Sequence, residues 1–203
     1  MMKHLSSPAS PYGRKVKIVA KMKGLDDRIE ATKIDTNILK NDALYTQNPL
    51  AKIPVLILED GTQVYDSHVI CEYLDTLAPE PRLFPAEGRA RLDTLIRGAL
   101  GDGLLDAALL LVYEGRFRPE NMRVESWVER QQFKLDTTID ELEQKIPDWT
   151  GTPDYGHVTI ACALGYLDFR HNGAWRTGHP KLVAWLDKFA AAVPAYAKTD
   201  PNG

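Results

Sequence analysis

The apolar run Val55-Leu56-Ile57-Leu58 follows directly on Ile53-Pro54, and that proline restricts the fold more than any other residue. Proline has no N–H to give to a sheet ladder, so at a strand mouth it needs a special reason. A cis Ile53–Pro54 bond is such a reason, because it turns the Ile53 backbone outward and frees its N–H and C=O. Beyond the strand, Asp66-Ser67 starts a helix and offers a carboxylate and a hydroxyl beside unpaired helix amides. The stretch from Asn48 to Leu56 and the pair Asp66-Ser67 together predict a receptor for an extended peptide with a charged amino end.

Local signals place the neighbouring elements. A short run reaching Leu5 reads as a strand that breaks at Ser6-Ser7-Pro8. Ser10-Pro11 opens a helix, since serine is a favoured N-cap and proline suits the first helical position. The spacing turns Val16, Val19 and Ala20 to one face and Lys15, Lys17 and Lys21 elsewhere, and Gly24 closes the helix. Ile29 to Ile34 alternates as a strand. Residues 36–48 are polar, with Leu39 and Leu44, and hold a short helix. Asp60-Gly61 is a tight turn from which Gln63-Val64-Tyr65 returns antiparallel. Val69, Ile70, Tyr73, Leu74 and Leu77 mark the next helix, which completes the order β-α-β-α-β-β-α.

Pro79, Pro81 and Pro85 punctuate a linker, and beyond it the strand signals stop. Helices are predicted over 86–113, 121–146, 158–169 and 181–192. In the first, Leu92, Leu95, Ile96, Ala99 and Leu100 face inward; in the second, Val124, Val128, Gln131, Leu135, Ile139, Leu142 and Ile146 keep near-helical spacing. Gly98, Gly101 and Gly103 suit close helix approach at a dimer interface. The fold class is α/β plus all-α: residues 1–78 form the mixed domain, 79–85 the linker and 86–203 the helical domain. A chain of 203 residues can bury a core in each. A net charge of −3 excludes nucleic acid and anionic membrane as main partners. No apolar run approaches the roughly 20 residues of a membrane span, so the location is cytoplasmic. Cys71 and Cys162 sit in apolar helical patterns as buried free thiols, and no Cys-x-x-Cys occurs.

The β-α-β-β-β-α unit with a proline before its third strand, joined to a helical half, resembles the soluble glutathione S-transferase superfamily. The residues that carry the resemblance are Ser7 to Val16, Asn48 to Leu56, Asp66-Ser67 and Thr159-Ile160-Ala161-Cys162-Ala163. It spans nearly the whole chain and is closest to serine-type bacterial members. It implies a thioredoxin-like N-terminal domain, glutathione as co-substrate, no metal, a small hydrophobic electrophile as second substrate, and a homodimer. It also implies transferase activity, with peroxidase, dehalogenase or isomerase variants of the same site. A non-catalytic glutathione-binding or protein-interaction module on this fold is the alternative. A glutaredoxin-type exchange enzyme is disfavoured because position 10 is serine.

The resemblance assigns roles residue by residue. Ser10 falls where the family places its catalytic serine. A cysteine-like thiol has a pKa of about 8.5, so the site must favour the anion, and a helix N-terminus with a hydroxyl donor does so. Ser7 is the rival for the thiol, and Tyr12 offers a phenol. Ile53 before Pro54 would pair with the cysteinyl backbone by strand addition. Lys52 suits the glycyl carboxylate. Ser67, at a helix N-terminus, suits the γ-glutamyl α-carboxylate, and Asp66 its ammonium. Arg14 is expected as a solvated or ion-pair residue and His68 as surface. Thr159 matches the first residue of the family's Ser/Thr-x-x-Asp capping box, but Cys162 replaces its aspartate, so part of the cap is expected to be lost.

Overall fold

The computed structural model describes residues 1–38 and 40–201; Leu39, expected in the short helix of 36–48, lies outside them. Two compact units divide the chain: Met1–Pro85 together with the residues from Val193 on, and Ala86–Ala192. Among the described residues no helix is long and apolar enough to cross a membrane.

The first unit runs β1 (Met2–Ser6), α1 (Pro11–Met22), β2 (Ile29–Lys33), α2 (Asp42–Tyr45), β3 (Val55–Ile57), β4 (Gln63–Val64) and α3 (Ser67–Thr76). The sheet order is β2-β1-β3-β4, with β1 parallel to β2 and antiparallel to β3, and β3 antiparallel to β4. This is the β-α-β-α-β-β-α order of a thioredoxin-like domain. Leu5, Ile34, Leu44 and Val55 form a buried cluster, with Ile53 and Ile57 packed against it. The hairpin after β3 closes at Asp60-Gly61: the Thr62 amide donates to Asp60 Oδ1 at 2.9 Å, and Gly61 takes the left-handed φ of 88° that glycine accepts without strain.

Three expectations for this unit change. Lys15 does not point to solvent; it is fully buried, its ammonium 5.4 Å from the Tyr12 ring centre. Amphipathic periodicity assumes one wet face, and α1 has almost none, since eight of its twelve residues are buried. The linker of 79–85 also belongs to the unit, with Leu83 and Phe84 buried. Asp75 fastens it, accepting from the Leu83 amide at 2.9 Å, the Phe84 amide at 3.0 Å and buried Lys23 Nζ at 2.8 Å. A buried carboxylate with three donors is a strong anchor. The residues from Val193 on likewise leave the helical domain assigned to 86–203 and join the first unit through Arg14.

The second unit contains α4 (Gly88–Phe117), α5 (Glu125–Gln144), α6 (Tyr155–Arg170) and α7 (Pro180–Ala192). Leu92 and Ile96 are not inward; they are 51% and 54% exposed. The buried stripe of α4 is instead Thr94, Gly98, Gly101, Leu105 and Ala108, which keeps helical spacing with smaller residues. A methyl group added at Gly98 would lie 2.8 Å from the Tyr155 ring, and one at Gly101 would lie 2.9 Å from the Ile160 nitrogen. Gly98 and Gly101 therefore admit α6 within this unit, while a methyl group added at Gly103 would meet no neighbouring element within 4 Å.

The capping box is also elsewhere. α6 starts at Tyr155, one turn before Thr159, whose hydroxyl donates to the Tyr155 carbonyl at 3.0 Å inside the helix. Asp154 is the N-cap: its Oδ1 accepts the His157 amide, and its own amide donates to His157 Nδ1, both at 3.1 Å. The cap is thus complete, and Cys162 lies in the buried middle of α6, where no cap aspartate is needed. Asp154 Oδ2 also accepts from Thr94 Oγ1 at 2.6 Å and from Arg97 Nη2, which ties α6 to α4. Burial alone would raise the Asp154 pKa, but His157, Thr94 and Arg97 hold it well below the usual carboxylate range.

Close packing at Gly101 sets opposite outcomes for two alanine substitutions on one helix. Gly101→Ala should lower unfolding stability by about 1–3 kcal/mol through overpacking. Gly103→Ala should raise it by up to about 1 kcal/mol through helix propensity. Urea unfolding followed by circular dichroism measures both.

Candidate functional site

Strand register decides which loops meet. Leu5 lies opposite Val55, and Leu56 opposite Val64. Extending each antiparallel register by one or two residues brings Ser6-Ser7, Ile53-Pro54 and Tyr65-Asp66 to one end of the sheet. The start of α1 follows Ser7, and the start of α3 follows Asp66. Three segments with open polar groups therefore share one sheet end, built entirely from the first unit.

Ser10 caps α1 from an extended conformation, and its Oγ accepts the Gly13 amide at 3.1 Å. Its hydroxyl proton remains available to a group in front of the helix. The Ser10 amide donates to the Ser7 carbonyl at 3.1 Å, so the two serines belong to one turn and both are half-buried. Gly13 is required where it is, because a Cβ there would overlap Ser6 Oγ. Tyr12 is half-buried, with its ring beneath Lys15.

Positive charge surrounds this helix end. The first turn of α1 holds no acidic residue to offset the helix dipole. Arg14, one turn on, is buried rather than solvated: its guanidinium lies 4.1 Å from the Tyr196 ring centre. It donates to the Tyr196 carbonyl at 2.8 Å and to Thr199 Oγ1 at 3.3 Å. Among the described residues no carboxylate neutralises it. Burial and the Arg14 charge push the Lys17 pKa down, and burial plus Lys17 lower His4 to about 4.

The second segment is organised by Asn48, which is 1% exposed. Its side chain donates to the Lys52 carbonyl at 2.9 Å and accepts the Leu50 amide at 3.0 Å, while Ala51 takes a left-handed φ of 51°. The Ile53–Pro54 peptide is cis. Among the described residues, none hydrogen-bonds to the amide or carbonyl of Ile53. Pro54 is buried and the Lys52 side chain is exposed. In the third segment Asp66 caps α3, its Oδ1 accepting the His68 amide at 2.9 Å and the Val69 amide at 3.3 Å. Ser67 is the first residue of α3 and is buried. His68 is half-exposed, 3.8 Å from Glu72.

Of the residues anticipated for the thiol's surroundings, Ser10, Ser7 and Tyr12 share one turn. Lys52, Ile53, Pro54, Asp66 and Ser67 lie on the two segments at the same sheet end. In the helical unit Leu105 and Ala108 are core and Trp175 is buried. Asn48 and the Arg14–Tyr196 contact carried no local signal for these roles. The chain matches the family model described as glutathione S-transferase, N-terminal domain, over residues 9–77, and the C-terminal domain model over 125–188. The chain belongs to the glutathione S-transferase superfamily. It is 32% identical to the uncharacterized GST-like protein YibF of Escherichia coli over 98% of both chains. It is also similar to a glutathione transferase family member from Pseudomonas fluorescens Pf-5 solved with bound glutathione. That likeness is 35% identity and a TM-score of 0.92 over 99% of each chain. A glutathione S-transferase from Methylobacillus flagellatus, also solved with glutathione, is 34% identical with a TM-score of 0.88, covering 99% of this chain and 100% of that one.

The buried His4 gives the transferase fold a pH signature. The unfolded chain takes up a proton at His4 near its ordinary 6.5, whereas the folded chain resists until about 4. Stability is therefore complete above the unfolded value and falls as pH drops from 6.5 towards 4, by at most about 1.4 kcal/mol per pH unit. Unfolding at several pH values should show this slope, and His4→Gln should flatten it.

Proposed function

We propose that this chain binds glutathione at the sheet end formed by the Ser7–Ser10 turn, the Lys52–Pro54 segment and Asp66-Ser67. There it holds the sulfur as thiolate for attack on a small hydrophobic electrophile. The observation that carries the reading is the convergence of an unpaired Ile53 backbone with two capped helix N-termini. A bound tripeptide thiol needs those groups: a strand-like partner for its backbone, anion-favouring amides for its γ-glutamyl carboxylate and a second helix start for its sulfur. The glutathione-bound relatives from Pseudomonas fluorescens and Methylobacillus flagellatus support it. Ile53 pairs with the cysteinyl unit, Ser67 and the start of α3 receive the γ-glutamyl carboxylate, Asp66 faces its ammonium, and Lys52 meets the glycyl carboxylate.

Chemistry then falls to Ser10. Its hydroxyl donates to the sulfur while its oxygen keeps the Gly13 amide. The α1 dipole and the buried Arg14 charge favour the anion over the thiol. The thiolate lone pair forms the C–S bond and the leaving group departs with the electrons of the bond it loses. Proximity and thiolate stabilisation supply the rate, with no covalent enzyme intermediate. The exposed Leu92 and Ile96 of α4, a stripe too apolar for a plain solvated face, support homodimerisation through that helix.

Thiolate absorbance of bound glutathione, titrated against pH, tests the reading. The wild type should bring the thiol pKa clearly below the free value of about 8.5. Ser10→Ala should return it towards that value and lower kcat/KM with a generic electrophile by roughly 10²-fold, while Ser7→Ala leaves both close to wild type. Binding without a lowered pKa or turnover would instead support the non-catalytic module, and absence of binding would overturn both.

A further inference from the structure

The helical unit contains a cavity of about 610 Å³ between α5, the end of α6 and the turn leading to α7. That volume falls among small-molecule sites, roughly 300–1,000 Å³. The apolar part of its lining is Leu135 and Ile139 from α5, Leu167 from α6, and Trp175, whose indole is pinned by its N–H donating to Asp168 at 2.9 Å. Every lining residue lies between 132 and 179, so the cavity shares no residue with the glutathione segments.

The charges on its rim do not cancel one another in place. His179 places Nδ1 2.6 Å from the Trp175 carbonyl and Nε2 3.0 Å from Asp140 Oδ1. Both partners only accept, so both nitrogens carry protons and His179 with Asp140 forms a neutral ion pair. Burial works against that charge, but the bonds to Asp140 and the Trp175 carbonyl, with Glu143 nearby, raise the His179 pKa. His171 is the opposite case, its pKa lowered by burial while its Nε2 meets the Ala108 carbonyl at 3.1 Å, so it stays neutral. Two charges are left over. Arg170 lies 4.0 Å from the Phe169 ring centre, and among the described residues no carboxylate pairs with it. Asp136 accepts only the Gln132 amide at 2.8 Å, and no described cation pairs with it.

We infer that this cavity is a second ligand site, for a small zwitterion with an apolar body, its anionic group on Arg170 and its cationic group on Asp136. One cation without a carboxylate and one anion without a cation, on the lining of a half-apolar bowl, favour a molecule carrying both charges over one carrying either. A purely anionic ligand would leave Asp136 facing like charge, and a purely cationic one would do the same to Arg170.

Isothermal titration calorimetry at neutral pH and low ionic strength, with three probes that share one phenyl body, tests this. The probes are phenylalanine, 3-phenylpropionate and phenethylamine, which carry both charges, the anion alone and the cation alone. Phenylalanine should bind at least about tenfold more tightly than either of the others. Arg170→Gln should remove that advantage over phenethylamine, and Asp136→Asn should remove it over 3-phenylpropionate. Ala174→Trp, which fills the bowl without touching a charge, should abolish binding of all three. No heat from phenylalanine, equal affinity for the three probes, or binding that survives Ala174→Trp would overturn the inference. None of these outcomes depends on whether the first unit binds glutathione.

Discussion

β1 is hydrogen-bonded on both sides, parallel to β2 and antiparallel to β3, and the site depends on the register of the second pairing. Side chains alternate along a strand, so a slip of one residue would turn Leu5 or Val55 out of the cluster they share with Ile34 and Leu44. Burial of that cluster therefore fixes where Ser7 stands relative to Ile53. The β3–β4 pairing extends the same constraint to Asp66. The apolar register sets which segments meet, and the turns and caps within each segment leave the Ser10 hydroxyl proton and the Ile53 backbone open to a ligand.

Around this frame, α1 is unusual in how little of it meets water. A guanidinium and an ammonium are buried along it, and the chain returns after α7 to cover Arg14 with Tyr196 and Thr199. Arg14 has no carboxylate partner among the described residues, and burying such a charge is unfavourable for stability by itself. At Arg14 the penalty is softened by neutral acceptors and an aromatic face, and the positive charge is retained one turn from Ser10. A thiolate in front of α1 would experience that charge as well as the helix dipole. The helical unit has a separate anchor, with Asp154 joining the start of α6 to Thr94 and Arg97 of α4 where glycines let the helices meet.

Local rules read well what local chemistry decides. Ser10-Pro11 as a helix start, Gly24 as its end, Asp60-Gly61 as a turn and Asp66 as a cap each follow from one or two residues. The element order, and the three segments that meet at one end of the sheet, were legible for that reason. Lys15 and Arg14 were not, because their burial depends on cover from residues as far as 185 positions away. Leu92 and Ile96 looked like an inward face because size dominates a hydrophobic pattern, whereas the α4–α6 contact needs glycines that such a pattern scores as weak. Thr159 drew attention from Asp154 because the expected cap pairs Ser/Thr with Asp. The cap in use pairs Asp with His, an equivalent exchange of donor and acceptor in a different residue alphabet.

The central claim is that Ser10, held at the positive end of α1, meets the sulfur of glutathione lying along Ile53. A crystal structure of the protein soaked with glutathione tests it most directly. The account predicts the sulfur within hydrogen-bond reach of Ser10 Oγ, about 3.0–3.5 Å, and the cysteinyl backbone paired with the Ile53 amide and carbonyl. A sulfur bound to Ser7 or Tyr12 instead, or glutathione lying away from Ile53, would contradict it.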